Sequence, residues 1–510
     1  LTKNQLPGQA GYYTCCKNMK DKLIILAKKY PLYLFLLPIF FVLHGFTENY
    51  DFVPLADALL LSIIYLVAAL LLLFIFRFVY KRWSKAALFT FFLLGFHFFF
   101  GSLHDGLKNL FNGGIITRYI FILPVSLFIF IALFIFLKKR KKRLSRFTGY
   151  LTILLILVIL IDIGWLTGKL VGGRSKKDEL PAGWADCRNC NKPDVYIIIA
   201  DEYAGDKQLQ NVFRFDNSPF YDQLTVRGFH VIPGSSSNYN LTPYSIASML
   251  NINYLDEDKN SSQSLLSTYR SIQYSQLLKF FQHSGYSFYN YSYFNFDGQP
   301  SYTHETFLPL KTTLITGQTF LSRIEKEMRY HLAITLKSEE EIRKNVYYTR
   351  TNNEKLYRLT FNKASERNSR PKFVLTHLMI PHYPYYYDKN GNEFPFETLT
   401  EGNQHNEQHY IEYLQYGNKK YLELVDHILK NAASPPVILL IGDHGFRHFK
   451  RDADPNSIFS NLAAVYLPGN NYSSFSDSAT NVNIIRTMFN TTFSQQLPYL
   501  KDTSFIINNP

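Results

Sequence analysis

The chain has 510 residues, 47% hydrophobic and 16% aromatic, with a formal net charge of +14. Its mean hydropathy is nevertheless only −0.10, so the apolar residues must be concentrated in one part of the chain. That excludes an evenly mixed soluble protein and points to at least two regions of different solvent preference.

From Tyr30 to about Lys169 long apolar runs are broken only by short polar or charged stretches, and the better runs reach the roughly 20 residues that cross a bilayer as helix. Five spans are expected, over approximately Pro31–Phe46, Val53–Tyr80, Ala86–Leu103, Tyr119–Leu137 and Tyr150–Leu166. A soluble helical core is the competing reading, but "LLLSIIYLVAALLLLFIF" would leave it no polar face to offer water. Basic residues fall in "KNMKDKLIILAKK", "KRWSK" and "KKRKKRLSR", whereas "FTENYDF" and "HDGLKNLFNGGIITR" are poor in them. Lys and Arg near span ends favour the cytoplasmic side, so the N-terminal segment 1–29 is expected inside and everything beyond the fifth span outside. The positive balance is thus partly a topology signal, and no nucleic-acid partner is expected. Span follows span with no small-residue cleavage site, which is not the pattern of a signal peptide.

Cys15 and Cys16 fall on the expected inner side; Cys187 and Cys190 ("CRNC") fall outside, where disulfides persist. A structural disulfide or idle thiols fit the second pair better than a redox site, since no strand-to-helix context surrounds it. A stretch rich in Gly, Pro and charge, 170–192, reads as a linker between the transmembrane region 30–169 and a polar, tyrosine-rich domain, 193–510.

That domain alternates short apolar runs with amphipathic stretches. Strands are expected at Asp194–Ala200, near Phe229, near Tyr286, and at Lys372–Ile380, Pro436–Gly442 and Leu462–Gly469. The alternation predicts a mostly parallel sheet covered by helices, and in such sheets chemistry gathers at the carboxyl ends of strands. "IIIADEYAG" delivers Asp201 and Glu202 to one such end, and "VILLIGDHGFR" delivers Asp443 and His444 to another. One acidic residue after one strand would often be a helix cap. Carboxylates and an imidazole together are a ligand set for a divalent cation, zinc or manganese by donor type, with magnesium or calcium as alternatives.

"NYNLTPYSIASML" places Thr242 before Pro243, which suits a first helical position. Thr242 is expected as an N-cap. It is either only that, or a nucleophile activated by the cation at a helix end that favours phosphoryl groups. In "THLMIPHYPYYYD", His377 lies in a strand and His382 beyond it, where it could hold a phosphate oxygen or handle a proton. "DKNGNEF" from Asp388 reads as a tight turn rather than a calcium loop. Asp162 and His97 are ionisable groups at membrane depth.

In this order the clusters resemble the alkaline phosphatase superfamily, and within it the membrane-anchored, sulfatase-like branch that includes lipid A phosphoethanolamine transferases and lipoteichoic acid synthases. The resemblance covers essentially the whole chain. It implies five transmembrane helices followed by an α/β alkaline-phosphatase/sulfatase-like domain, in a bacterial inner membrane with the catalytic domain on the periplasmic or extracytoplasmic face. It implies Asp201, Thr242, Asp443 and His444 as metal ligands, and Thr242 as nucleophile. His382 would act on substrate phosphate, with His377, Glu202 and Arg447 as substrate-binding candidates; Glu202, the second of a paired acid, is also a candidate ligand. It further implies a phospholipid donor, such as phosphatidylethanolamine or phosphatidylglycerol, and an envelope glycan or glycolipid acceptor. "LTPYSIAS" lacks both the convertible residue and the arginine of arylsulfatases, which sets phosphoryl above sulfate chemistry. Two other readings stay open: a hydrolase with water as acceptor, and a non-catalytic envelope-binding membrane protein.

Overall fold

The computed structural model describes residues 31–508 apart from 112–113, 143, 174–179, 181–182, 188–189, 256–261, 304–310, 327–338 and 451–453. Cys15, Cys16 and the N-terminal segment lie outside the described residues. The chain divides into two compact units, one made of 1–175 with 309–336, the other of 176–308 with 337–510.

The first unit contains helices α1 (Leu32–Glu48), α2 (Leu55–Tyr80), α3 (Trp83–Phe111), α4 (Tyr119–Lys139) and α5 (Ser145–Gly173). The last four are long and apolar enough to cross a membrane; α1, with 17 residues, is apolar but shorter. Helix α5 outruns its expected span at both ends, because hydropathy marks the apolar middle of a helix while its hydrogen bonding continues through polar ends. Leu59, Leu60, Phe78 and Ile120 all stand exposed, an apolar exterior suited to lipid rather than water. Asp162 is buried and its Oδ1 lies 3.1 Å from His44 Nδ1, while His97 packs edge-on against Tyr65.

A segment expected in the catalytic domain belongs here instead. Gly101 N–H donates to the Gln318 carbonyl at 2.8 Å, Arg323 pairs with Asp105, and Ile315 fills the space beside Gly45. The stretch 193–510 is therefore not one unbroken domain: of it, the described residues 311–326 pack on the apolar helices.

The second unit is an α/β domain around a six-stranded sheet: β1 (Val195–Ala200), β2 (His230–Val231), β3 (Ser287–Tyr291), β4 (Lys372–Leu378), β5 (Val437–Gly442) and β6 (Ala463–Tyr466). All six arise where the sequence predicts them. Their order is β2-β6-β5-β1-β4-β3, parallel from β5 to β3, with β6 antiparallel to β5 and β2 antiparallel to β6 at one side. Strands β1, β4 and β5 are buried at every residue, as unbroken apolar runs must be when helices cover both faces. One cover is α8 (Glu407–Asn431), begun by the Asn406 side chain accepting from His409 N–H. It buries Tyr410, Leu414, Tyr421, Val425 and Ile428 at helical spacing. Helix α6 (Thr242–Asn251) and α7 (Glu339–Ser365) precede it in the chain. Cys187 and Cys190 are joined in a disulfide. Asp388 Oδ1 accepts from the N–H groups of Asn390 and Asn392, closing the expected tight turn.

Register is what positions the chemistry. Ala200 pairs with both Leu378 and Gly442, so β1, β4 and β5 end level and the residues after β1 and β5 emerge side by side. The turn after β5 is drawn close to its neighbours: a Cβ on Gly445 would meet the Ser460 carbonyl at 2.4 Å and Gln208 Oε1 at 2.6 Å. Gly445→Ala is expected to cost roughly 1–3 kcal/mol by overpacking, read as a lowered midpoint in denaturant unfolding; an unchanged midpoint would show the turn has room.

Candidate metal centre and nucleophile

Asp201, directly after β1, is fully buried. Its Oδ2 accepts from His377 Nε2, one residue before the end of β4, at 2.9 Å. Asp443, directly after β5, is equally buried; its Oδ1 accepts from the N–H of Glu202 at 3.0 Å and of His444 at 2.9 Å. Each carboxylate is thus held by one oxygen. The other oxygens, Asp201 Oδ1 and Asp443 Oδ2, have no hydrogen-bond partner among the described residues.

His444 completes the cluster. Its Nδ1 lies 2.8 Å from the Gly445 carbonyl, and a carbonyl only accepts, so Nδ1 carries the proton and Nε2 presents a lone pair. Thr242 Oγ donates to that Nε2 at 3.2 Å. The expected N-cap role is not what the hydroxyl does: Thr242 is the first residue of α6, Leu241 is the cap position, and no side chain caps the helix. Pro243 supplies the fixed φ that starts the helix without needing its missing N–H. Ser245 Oγ donates to the Asp443 carbonyl at 2.6 Å, locking α6 to the end of β5.

A second cluster lies against the first. Ligand atoms of Glu202, His382 and His448 fall within 4.8 Å of one another, as do those of Asp201, Asp443 and His444. Glu202 sits at φ 58°, a left-handed conformation that costs a non-glycine residue on the order of 1 kcal/mol. His382 gives its Nδ1–H to the Tyr383 carbonyl at 2.7 Å, leaving Nε2 as a lone pair 3.9 Å from Glu202 Oε2. His448 Nε2 is 3.3 Å from Glu202 Oε1. Arg447 gives its backbone N–H to Glu202 and its guanidinium to the Asn240 carbonyl.

The electrostatics suit a cation. Burial raises Asp201, but the imidazoles of His382 and His377 override it and hold the carboxyl below its ordinary range. Burial and then the charge of Asp201 push Asp443 up. Burial drives Glu202 well above its ordinary value against the pull of Arg447. His444 is lowered to about 3, by burial and then by Arg447; His448 is lowered to about 3, by burial and then by His382. Imidazoles beside carboxylates that each keep one unpaired oxygen form a donor set for a divalent metal, and the residues present fit one. Asp201, Asp443 and His444, with the Thr242 hydroxyl beside them, would hold it, and Glu202, His382 and His448 could hold another.

Every candidate residue from the sequence comes to this edge of the sheet. His377 stands behind Asp201, fully buried. His448 was not foreseen: it lies in an irregular segment whose sequence, "FRHFK", carries no periodic signal. Asn461 and Asn481 were likewise missed; both donate to the Gly442 carbonyl and fix the exit of β5.

No family model and no curated protein matches the chain. Among solved structures, the C-terminal periplasmic domain of EcEptC from Escherichia coli is similar at 13% identity and a TM-score of 0.39, over 65% of this chain and 94% of that one. The integral membrane protein lipooligosaccharide phosphoethanolamine transferase A from Neisseria meningitidis is similar at 10% identity and a TM-score of 0.35, over 92% and 95%. A putative sulfatase from Bacteroides thetaiotaomicron is similar at 12% identity and 0.34, over 62% and 74%. At scores this low the likenesses decide nothing about chemistry, which rests on the side chains.

Metal analysis of the purified full chain tests the donor set. Asp443→Asn combined with His444→Ala is expected to lose the copurifying divalent metal, and His448→Ala to lose only what exceeds one equivalent. Wild-type protein that takes up no divalent metal on titration would contradict the assignment.

Proposed function

We propose that the chain is a metal-dependent phosphotransferase of the alkaline phosphatase superfamily. In this reading it moves a phospho-head-group, of phosphoethanolamine or phosphoglycerol type, from a membrane phospholipid to an envelope glycan or glycolipid. The observation that carries the reading is the Thr242 hydroxyl. It is buried, it caps nothing, it sits at the positive end of α6, and it is hydrogen-bonded into a cluster of metal-ligand type. A purely structural threonine at that position would be spent on the helix end. Helices long and apolar enough to cross a membrane in the same chain support a lipid as donor.

A divalent cation bound by Asp201, Asp443 and His444 would lower the pKa of the adjacent hydroxyl and offset phosphoryl charge. In the first step Thr242 Oγ bonds to the phosphorus of the donor while the bond from phosphorus to the glycerol oxygen breaks; diacylglycerol leaves with the proton that threonine gave up. In the second an acceptor hydroxyl bonds to phosphorus, the bond to Thr242 Oγ breaks, and the proton returns to threonine. The N-terminus of α6 faces phosphate favourably, and Arg447 adds a permanent positive charge. His377 keeps Asp201 oriented. His382, whose pKa burial lowers, would take the acceptor's proton at Nε2, unless the second cluster binds metal and uses that nitrogen as a ligand. The fold of the sheet and the apolar helices agree with the layout that the resemblance implies. Splitting one displacement into two predicts ping-pong kinetics.

Intact-protein mass spectrometry after incubation with defined phospholipids and a divalent metal tests this. The wild type is expected to gain one phospho-head-group and release diacylglycerol, and Thr242→Ala to do neither. Metal-loaded wild-type protein that forms no adduct and releases no diacylglycerol from any head group would overturn the lipid-donor reading.

A further inference from the structure

The first unit holds a cavity of about 550 Å³ between the α2–α3 connection and the α4–α5 connection. It lies at the helix ends to which the excess of Lys and Arg assigns the cytoplasm, and its chemistry is one-sided. Arg82, Lys85, Arg140, Lys141 and Lys142 line it together with the Ser145 hydroxyl, and among the described residues no carboxylate does. Positive charge in span-flanking loops is expected for topology alone, but topology requires no cavity and no convergence.

Three further observations point to an anion. Helices α3 and α5 both begin at this cavity, and neither has an acidic residue in its first turn. Helix N-termini carry partial positive charge and ordinarily attract acidic side chains, yet here Lys85 stands in one first turn and Ser145 and Thr148 in the other. The Arg140 Nε is buried without a hydrogen-bond partner among the described residues. Finally, Leu88, Leu137 and Leu144 form part of the wall, so the cavity has an apolar side as well as a cationic one.

We infer that this cavity binds the phosphate head group of an anionic phospholipid from the cytoplasmic leaflet. The lipid would dock there as a ligand, apart from the Thr242 centre, with its phosphate among the guanidinium and ammonium groups and its glycerol end against the leucines. Basic pockets between membrane helices on the cytoplasmic side suit such head groups, and the two arginines suit phosphate geometry.

The test is native mass spectrometry of the delipidated full chain, titrated separately with phosphatidylglycerol, cardiolipin, phosphatidylcholine and inorganic phosphate. Wild-type protein is expected to retain the two anionic lipids at least about tenfold more than phosphatidylcholine, and Arg82→Gln with Arg140→Gln to lose that preference. Because removing charge could disturb insertion, Ser145→Leu with Thr148→Leu fills the cavity while keeping every cation, and it is expected to lose the same lipid. Equal retention of phosphatidylcholine, undiminished anionic lipid in the cavity-filled variant, or displacement of lipid by inorganic phosphate at comparable concentration would each overturn the inference, the last by showing a site for a soluble anion.

Discussion

Three carboxylates, Asp201, Glu202 and Asp443, are removed from water together at one end of a parallel sheet, and the rest of the α/β unit is arranged around that arrangement's cost. Each buried ion carries a desolvation penalty of several kcal/mol, and like charges this close raise one another's pKa. The local answers are visible: an imidazole behind Asp201, two backbone N–H donors on Asp443, Arg447 beside Glu202. They satisfy only part of the acceptor capacity. The unsatisfied Asp443 Oδ2 faces His444 Nε2, which also lacks a proton, a balance that a divalent cation would complete.

The fold holds this arrangement through backbone precision rather than flexible reach. Level strand ends set Asp201 beside Asp443. The tight turn through Gly445 brings His444 back toward α6, and the Ser245 contact fixes the helix that carries Thr242. Buried tyrosines tie the surrounding loops: the Tyr410 hydroxyl bridges the Glu202 carbonyl and the Ala204 N–H, and Tyr421 donates to the Ile380 carbonyl. Part of the tyrosine-rich composition that stands out in the sequence is spent inside the core in this way. Tyr385 and Tyr386 of "YPYYYD" are themselves buried.

Much of this was legible beforehand because its signals are local. Unbroken runs such as "VYIIIA" and "VILLIG" read as buried strands whatever their partners, and the polar residues after them read as strand-end chemistry. What depends on tertiary context was not legible. No periodicity told that β2 would pair with β6, or that 311–326 would leave the α/β unit for the apolar helices, since those contacts pair residues more than 200 positions apart. Thr242 read as a cap because Thr-Pro before a helix ordinarily is one; only the approach of His444 shows where the hydroxyl goes. Glu202 could be suspected as a ligand from its neighbour, but His448 could not, because its partner is supplied by a strand end 246 positions earlier in the chain.

Whether the buried carboxylates and the Thr242 hydroxyl share one cation decides the proposed mechanism. The most direct measurement is a crystal structure of the metal-loaded full chain with anomalous data collected at the absorption edge of the bound metal. The account predicts a strong peak coordinated by Asp201, Asp443, His444 and Thr242 Oγ. An empty map in that space, with the two aspartates sharing a proton and Thr242 still donating to His444, would contradict it.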